Sequence, residues 1–405
     1  MVITKKAAFK LIILFGIISL LGDMVYEGAR SVNGPYLKIL GANAAIVGLI
    51  AGIGEFLGYG IRLFSGYFSD RTKAYWTFTI IGYGMLLSVP MLSLTSFWQT
   101  ASIFIILERI GKGIRSPAKD TIVSQATKQV GTGFGFAIVE FLDQLGAVSG
   151  PLIYTAVFAL AATQVTGIAE YQKGYLFSII PYCLLMLVIF FAFNTFRHPE
   201  LFEQKPGIKE SEKLPRTFYL YSIFTFLTTF GFVNFVLIGY HLKSNNIVSD
   251  AAIPAFYAGA MIVDAFLALL IGKLYDMMKI RKHNESAGLL LLLIIPILSV
   301  FIPVFVFNNN IAFIITGVII WGIVMGAHET IMKAAIADIT SIRKRGTGYG
   351  IFNTSYGLAA FLGSALTGIL YDVSINSIIL IMALVQVLAV VVFFIIRKEV
   401  NKVLF

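Results

Sequence analysis

Ser286 to Ala327 contains no Asp, Glu, Lys, Arg or His. A soluble domain cannot cover a run of that length, but two membrane-crossing helices need it, since each requires roughly 20 apolar residues at about 1.5 Å per residue. Asn308, Asn309 and Asn310 mark the turn between the two. Gly174 to Phe196, Thr217 to Tyr240 and Val373 to Ile396 are also uncharged, each about one helix long, and Ala74 to Leu107 divides around Ser96 into two more. The less pure stretches complete a set of twelve expected spans, near 9–30, 45–68, 75–94, 98–119, 131–160, 174–195, 217–240, 251–275, 286–306, 311–335, 345–371 and 374–396.

Composition agrees. The 405-residue chain is 58% hydrophobic and 13% charged, against roughly 25% charged for a soluble protein. The excess of basic residues follows the membrane rule that Lys and Arg gather on the cytoplasmic side, so nucleic acid is not an expected partner. With both termini in the cytoplasm, the inner segments collect Lys5, Lys6, Lys10, Arg71, Lys73, Arg115, Lys119, Lys128 and the basic residues of 197–216, 273–282, 343–345 and 397–402. The outer loops then carry only Lys38, Lys173 and Lys243. The expected location is the plasma membrane, and the first span reads as a retained helix rather than a cleaved signal.

The segment 196–216 is the longest polar connection and is expected to be a cytoplasmic linker between bundles 1–195 and 217–405. Internal similarity supports the division. Gly131-Thr132-Gly133-Phe134-Gly135 reappears as Gly346-Thr347-Gly348-Tyr349-Gly350, and Gly66-Tyr67-Phe68-Ser69-Asp70 as Gly272-Lys273-Leu274-Tyr275-Asp276. Two related halves of six spans explain both offsets. The glycine runs lack the strand and spacing of a dinucleotide fingerprint and read as close helix packing. No phosphate loop, zinc-ligand spacing or nucleophile elbow is present in the sequence, so neither an enzymatic role nor a cofactor is expected.

Charges inside the spans carry the functional expectation, because an ionisable group facing hydrocarbon costs roughly 2.5 to 3.5 kcal/mol on insertion scales. Such groups should face protein or a polar cavity. The first half holds Asp23, Glu27 and Arg30; Glu55 and Arg62; Glu108, Arg109 and Lys112; and Glu140 and Asp143. Asp23, Glu27 and Arg30 can share one helix face, and Glu108 and Lys112 stand in i,i+4 register. The second half is drier, with Asp264, which requires a partner on another helix, a proton or water, and a cluster of His328, Glu329 and Lys333.

These residues and their placement resemble the major facilitator superfamily. Gly66-Tyr67-Phe68-Ser69-Asp70-Arg71-Thr72-Lys73 is similar to its signature loop between the second and third helices, with Gly272 to Asp276 a degraded second copy. Arg109-Ile110-Gly111-Lys112-Gly113 resembles the fourth-helix signature of proton-coupled members, with Lys112 where many carry Gln. Gly146-Ala147-Val148-Ser149-Gly150-Pro151 resembles the start of the fifth-helix antiporter signature, and Leu152, Ile153 and Tyr154 replace the glycine pair that usually follows. The resemblance implies an all-α membrane fold of twelve helices in two six-helix bundles. It implies that Asp70 ties its loop to a neighbouring helix end in one state and that Arg109 takes part in proton coupling.

The resulting expectation is a monomeric secondary transporter that moves a small solute by alternating access, with protons as coupling ion. The six acids against four bases point to export of an amphipathic or cationic compound. The alternatives are uptake of a sugar, metabolite or organic anion drawn by Arg30, Arg62, Arg109 and Lys112, and a membrane scaffold or sensor without turnover. For the proton, Glu27, Glu55, Glu108, Glu140 and Asp143 are the candidates, Glu27 or Asp143 preferred.

Overall fold

The computed structural model describes residues 5–127, 130–160, 167–197, 214–282, 287–339 and 345–403. Among them there is no strand, and the helices fall into twelve membrane-length rods. We number these α1 (Lys5–Ile39), α2 (Ala44–Thr72), α3 (Tyr75–Leu94), α4 (Trp98–Thr127), α5 (Thr132–Ala159), α6 (Ile168–Thr195), α7 (Arg216–Ser244), α8 (Ala252–Lys282), α9 (Leu289–Val306), α10 (Ile311–Ile339), α11 (Arg345–Val373) and α12 (Ile375–Val403). Every expected span is present, and several run longer than hydropathy indicated. α1 continues past residue 30 through Pro35 because Ser31 to Leu37 are buried and packing outweighs the lost amide. α6 starts before Gly174 because the Glu170 carboxylate accepts the Gly167 N–H at 2.9 Å and caps the first turn.

Eleven of the twelve helices contain a window apolar enough to cross a membrane. The exception is α4, which carries Glu108, Arg109, Lys112, Arg115, Lys119 and Asp120. Large apolar side chains such as Phe64, Leu94, Phe134, Leu187, Phe266 and Leu269 stand exposed on the helices, as lipid-facing positions require.

α3 and α9 each contain a 3₁₀ stretch followed by a proline. Pro90 lacks the amide that would bond to Leu86, and the backbone tightens to a 3₁₀ turn at Met85–Leu87. Pro296 lies at the corresponding place in α9, behind the 3₁₀ stretch Ala287–Leu293. The two prolines are separated by the same interval as Gly66 and Gly272, so the repeat extends to the position of the break.

Packing groups the chain into two compact units. The first comprises the chain up to Ala42, then Leu57 through α6, with Ser249–Ala258; the second comprises Asn43–Phe56, α7 to Val248, and the chain from Gly259 onward. In the first unit α1 lies directly on α5. A Cβ at Gly146 or Gly150 would fall inside the carbonyls of Leu20 and Met24, so only glycine permits that approach. α4 is clasped similarly, for a Cβ on Gly111 would lie 2.7 Å from the Gly82 carbonyl and one on Gly113 2.9 Å from that of Gly58. Gly131, which opens α5, has φ +118, a conformation side chains rarely adopt.

In the second unit α7 is interrupted between Phe230 and Phe235, and Asn234 restarts it by accepting the Val236 N–H at 3.0 Å. Trp321 donates to the Val233 carbonyl at 2.8 Å and Gln386 to that of Thr228 at 3.0 Å, which satisfies backbone released by the break. The first half of α2 joins this unit through Gly48 and Gly52, which abut Ser364 and Phe361 of α11.

Candidate functional site

The close α1–α5 and α2–α4 approaches bring the polar faces of α1 and α4 together inside the first unit. Tyr26 is at the centre. Its hydroxyl accepts from Arg109 and, at 3.4 Å, from Arg30. Its ring carries the Lys112 ammonium at 3.8 Å, with the Arg109 guanidinium at 4.7 Å and that of Arg30 at 6.0 Å from the centroid. Three cations therefore surround one aromatic side chain that is itself 2% exposed.

Two carboxylates complete the network. Glu27, 6% exposed, lies 3.7 Å from Arg30 and accepts the Tyr257 hydroxyl at 2.5 Å. Glu108, 5% exposed, lies 3.6 Å from Arg109 and 3.9 Å from Arg115. Arg115 also stacks over Tyr83 at 4.7 Å. Asp23 is half-buried on α1 with Asp143, Lys112, Glu27 and Lys119 as electrostatic neighbours, and Lys119 donates to Ser19 at 3.2 Å.

One expectation from the sequence is redirected by this geometry. Lys112 makes no close ion pair with Glu108 despite the i,i+4 register; it turns to the Tyr26 ring, and the cations nearest Glu108 are Arg109 and Arg115. Glu55 is buried in the half of α2 that groups with the second unit, while Arg62 covers Tyr59 at 4.4 Å in the first. Glu140 is exposed on α5, one turn from half-buried Asp143.

Asp264 is buried in the second unit against α10, where a Cβ on Gly326 would lie 2.9 Å from its Oδ1. Glu329 is half-buried beside His328, whose ring packs against Phe232 at 5.1 Å. At the end of α2, exposed Asp70 accepts the Tyr75 hydroxyl at 3.1 Å, linking the loop to the first residue of α3. Arg71 donates to Tyr67 at 3.2 Å. Gly66 faces Pro117, Gly272 faces Thr330, and Pro151 is a buried in-helix proline of α5. The Asp276 and Lys333 side chains and most of the linker, 198–213, lie outside the described residues.

The sequence reading did not select Tyr26 or Tyr257. Tyr26 carried a local signal, standing three residues after Asp23 and four before Arg30 on one helix face. Tyr257 carried none, because it meets Glu27 across a separation of 230 residues.

The fold and site define an all-α polytopic membrane protein with a buried ionic network. The Major Facilitator Superfamily model matches residues 15–327 and 221–404. An uncharacterised protein of Mycobacterium tuberculosis is 35% identical over 398 residues, covering 96% of this chain and 94% of that one. An uncharacterised MFS-type transporter of Methanocaldococcus jannaschii is 26% identical over 374 residues, covering 90% and 89%. Among solved structures, a bacterial homologue of the human lysosomal transporter Spinster, inward-facing and occupied, superimposes with a TM-score of 0.71 at 15% identity, covering 96% of each chain. The chain belongs to the Major Facilitator Superfamily. Membership makes it a membrane-embedded secondary transporter of the twelve-helix type with a small-molecule substrate.

Proposed function

We propose that the transporter couples solute movement to protons by alternating access, and that Glu27 is the group that carries the proton. The observation that carries this reading is the environment of its carboxylate, held between the neutral Tyr257 hydroxyl and the Arg30 guanidinium. At 3.7 Å the arginine contact is an ion pair beyond hydrogen-bond distance. A carboxylate that loses its cation in a dry environment takes up a proton, and one that regains the cation releases it. Tyr257 can remain the donor in the ionised state and turn acceptor in the protonated one.

Charge asymmetry supports a plasma-membrane location with both termini in the cytoplasm. Export remains the proposed direction on the resemblance of the α5 sequence, although Gly146 and Gly150 are already accounted for by packing on α1. The expectation of a cationic solute rested on the six acids Asp23, Glu27, Glu55, Glu108, Glu140 and Asp143.

The test begins with a ligand-stabilisation screen across pH and continues with flux in liposomes for each solute found. Neutralising Glu27, Glu55, Glu108, Glu140 and Asp143 singly to Gln or Asn should leave Glu27→Gln folded and able to bind, but unable to move protons with the solute. Normal proton-to-solute ratios in all five variants would move the proton path to Asp264 and Glu329 or remove it altogether.

A further inference from the structure

A cation buried in a membrane protein is ordinarily matched by a carboxylate. Lys112 is not. Its ammonium rests on the Tyr26 ring at 3.8 Å, with no carboxylate among the described residues within 4 Å. Both nearby glutamates are already engaged, Glu27 by Arg30 and Tyr257, Glu108 by Arg109 and Arg115. Asp23 and Glu108 act on Lys112 from beyond ion-pair distance.

The ring alone does not offset this charge. Arg109 and Arg30 both donate to the Tyr26 hydroxyl, which draws electron density from the π face that Lys112 uses. Three cations within about 6 Å of one centroid also repel one another. Lys112 is half-buried, with the Tyr26 ring against its ammonium. Its three N–H donors make no hydrogen bond to any described residue. An anionic oxygen group would supply the hydrogen-bond acceptors that the ammonium lacks, and a negative charge in direct contact with it.

We propose that Lys112, held on the face of Tyr26, docks an anionic group of the transported solute, a carboxylate or a phosphate. The proposal rests on the transport reading for the word "transported", and its test separates the two. Arg109 and Arg30 stand around the same ring, so the docked anion would also relieve their mutual repulsion. Lys112 presents a compact charge that suits either anion geometry, in contrast to the fixed fork of an arginine.

Purified full-length protein and its Lys112→Gln and Lys112→Arg variants would be titrated with sodium succinate, inorganic phosphate, sodium chloride and tetraethylammonium chloride at matched ionic strength, with melting temperature as readout. The expected result is that succinate or phosphate raises the wild-type melting temperature beyond chloride. Lys112→Arg should retain the response, and Lys112→Gln should fold and lose about tenfold or more in apparent affinity. Stabilisation by tetraethylammonium instead, no response to either anion, or an undiminished response in Lys112→Gln would overturn the proposal. A Lys112→Gln protein that fails to fold would also overturn it, by making Lys112 a structural cation. Liposome exchange of the stabilising anion then divides the outcomes. Lys112-dependent binding without flux sinks transport and leaves the site, whereas flux unaffected by Lys112→Gln sinks the site and leaves transport.

Discussion

The Tyr257 hydroxyl and the Glu27 carboxylate, 230 residues apart in sequence, form a 2.5 Å hydrogen bond in which both partners are buried. A buried carboxylate with a neutral donor on one side and a cation on the other depends on both. Tyr257→Phe should preserve the packing of the ring and remove the donor, at about 1.5 to 3 kcal/mol for a hydrogen bond to a charged group. The expected outcome is a folded protein with a lower melting temperature and slower solute exchange. An unchanged melting temperature would show that Glu27 does not use the hydroxyl.

Tyr26 combines two functions that substitutions can separate. Tyr26→Phe removes the acceptor shared by Arg30 and Arg109 but leaves a face for Lys112; Tyr26→Leu removes both. The loss of the face adds about 0.5 to 2 kcal/mol to the loss of the acceptor. Melting temperatures should therefore fall in the order wild type, Tyr26→Phe, Tyr26→Leu. Equal values for the two variants would mean that the ring contributes only bulk.

Glycines that look alike in sequence should respond in opposite ways. Gly150→Ala forces a methyl against the Met24 carbonyl of α1 and should destabilise by about 1 to 3 kcal/mol or block accumulation of the protein. Gly60→Ala, in α2, meets nothing within 4 Å and should be neutral or stabilising by about 0.5 to 1 kcal/mol. Thermal melts of the pair in one detergent decide the matter, and a reversed order would contradict the α1–α5 packing.

Asp70 accepts a hydrogen bond from Tyr75 that an asparagine oxygen can also accept. Asp70→Asn should keep the fold and equilibrium solute binding while slowing exchange, because the change falls on the α2–α3 loop rather than on the Tyr26 network. Loss of binding with normal exchange kinetics would refute this role. Single cysteines at 70–73, 196–216 and 276–285 in a Cys183→Ser background should be protected from an impermeant reagent added outside intact cells; labelling there would reverse the proposed orientation.

The twelve-helix architecture was legible because it depends on the length of apolar runs, a property local to each segment. Ser286 to Ala327 illustrates this, for its Asn turn lies where α9 ends and α10 begins. The candidate site was legible as a set of residues but not as a set of pairs. Glu108 and Lys112 share a helix face, yet Lys112 prefers Tyr26 and Glu108 reaches Arg115, two turns away. Helical periodicity specifies which side chains are neighbours on one rod; it does not contain the crossing geometry that Gly146, Gly150 and Gly113 impose between rods. Tyr257 lies wholly in that missing information.

The polarity of α4 bears on how the protein is made. A helix carrying Glu108, Arg109, Lys112 and Arg115 cannot partition into lipid as an independent segment, since each such charge opposes insertion by about 2.5 to 3.5 kcal/mol near the helix centre. It enters the bilayer only with companions that cover its charged face, and the structure identifies these as α1, through Tyr26, and α3, through Gly82 and Tyr83. Both precede α4 in the chain, so they are already synthesised when it emerges from the ribosome. The order of the helices thus doubles as an assembly order, and the residues that form the candidate site are also those that make biogenesis of the first unit cooperative.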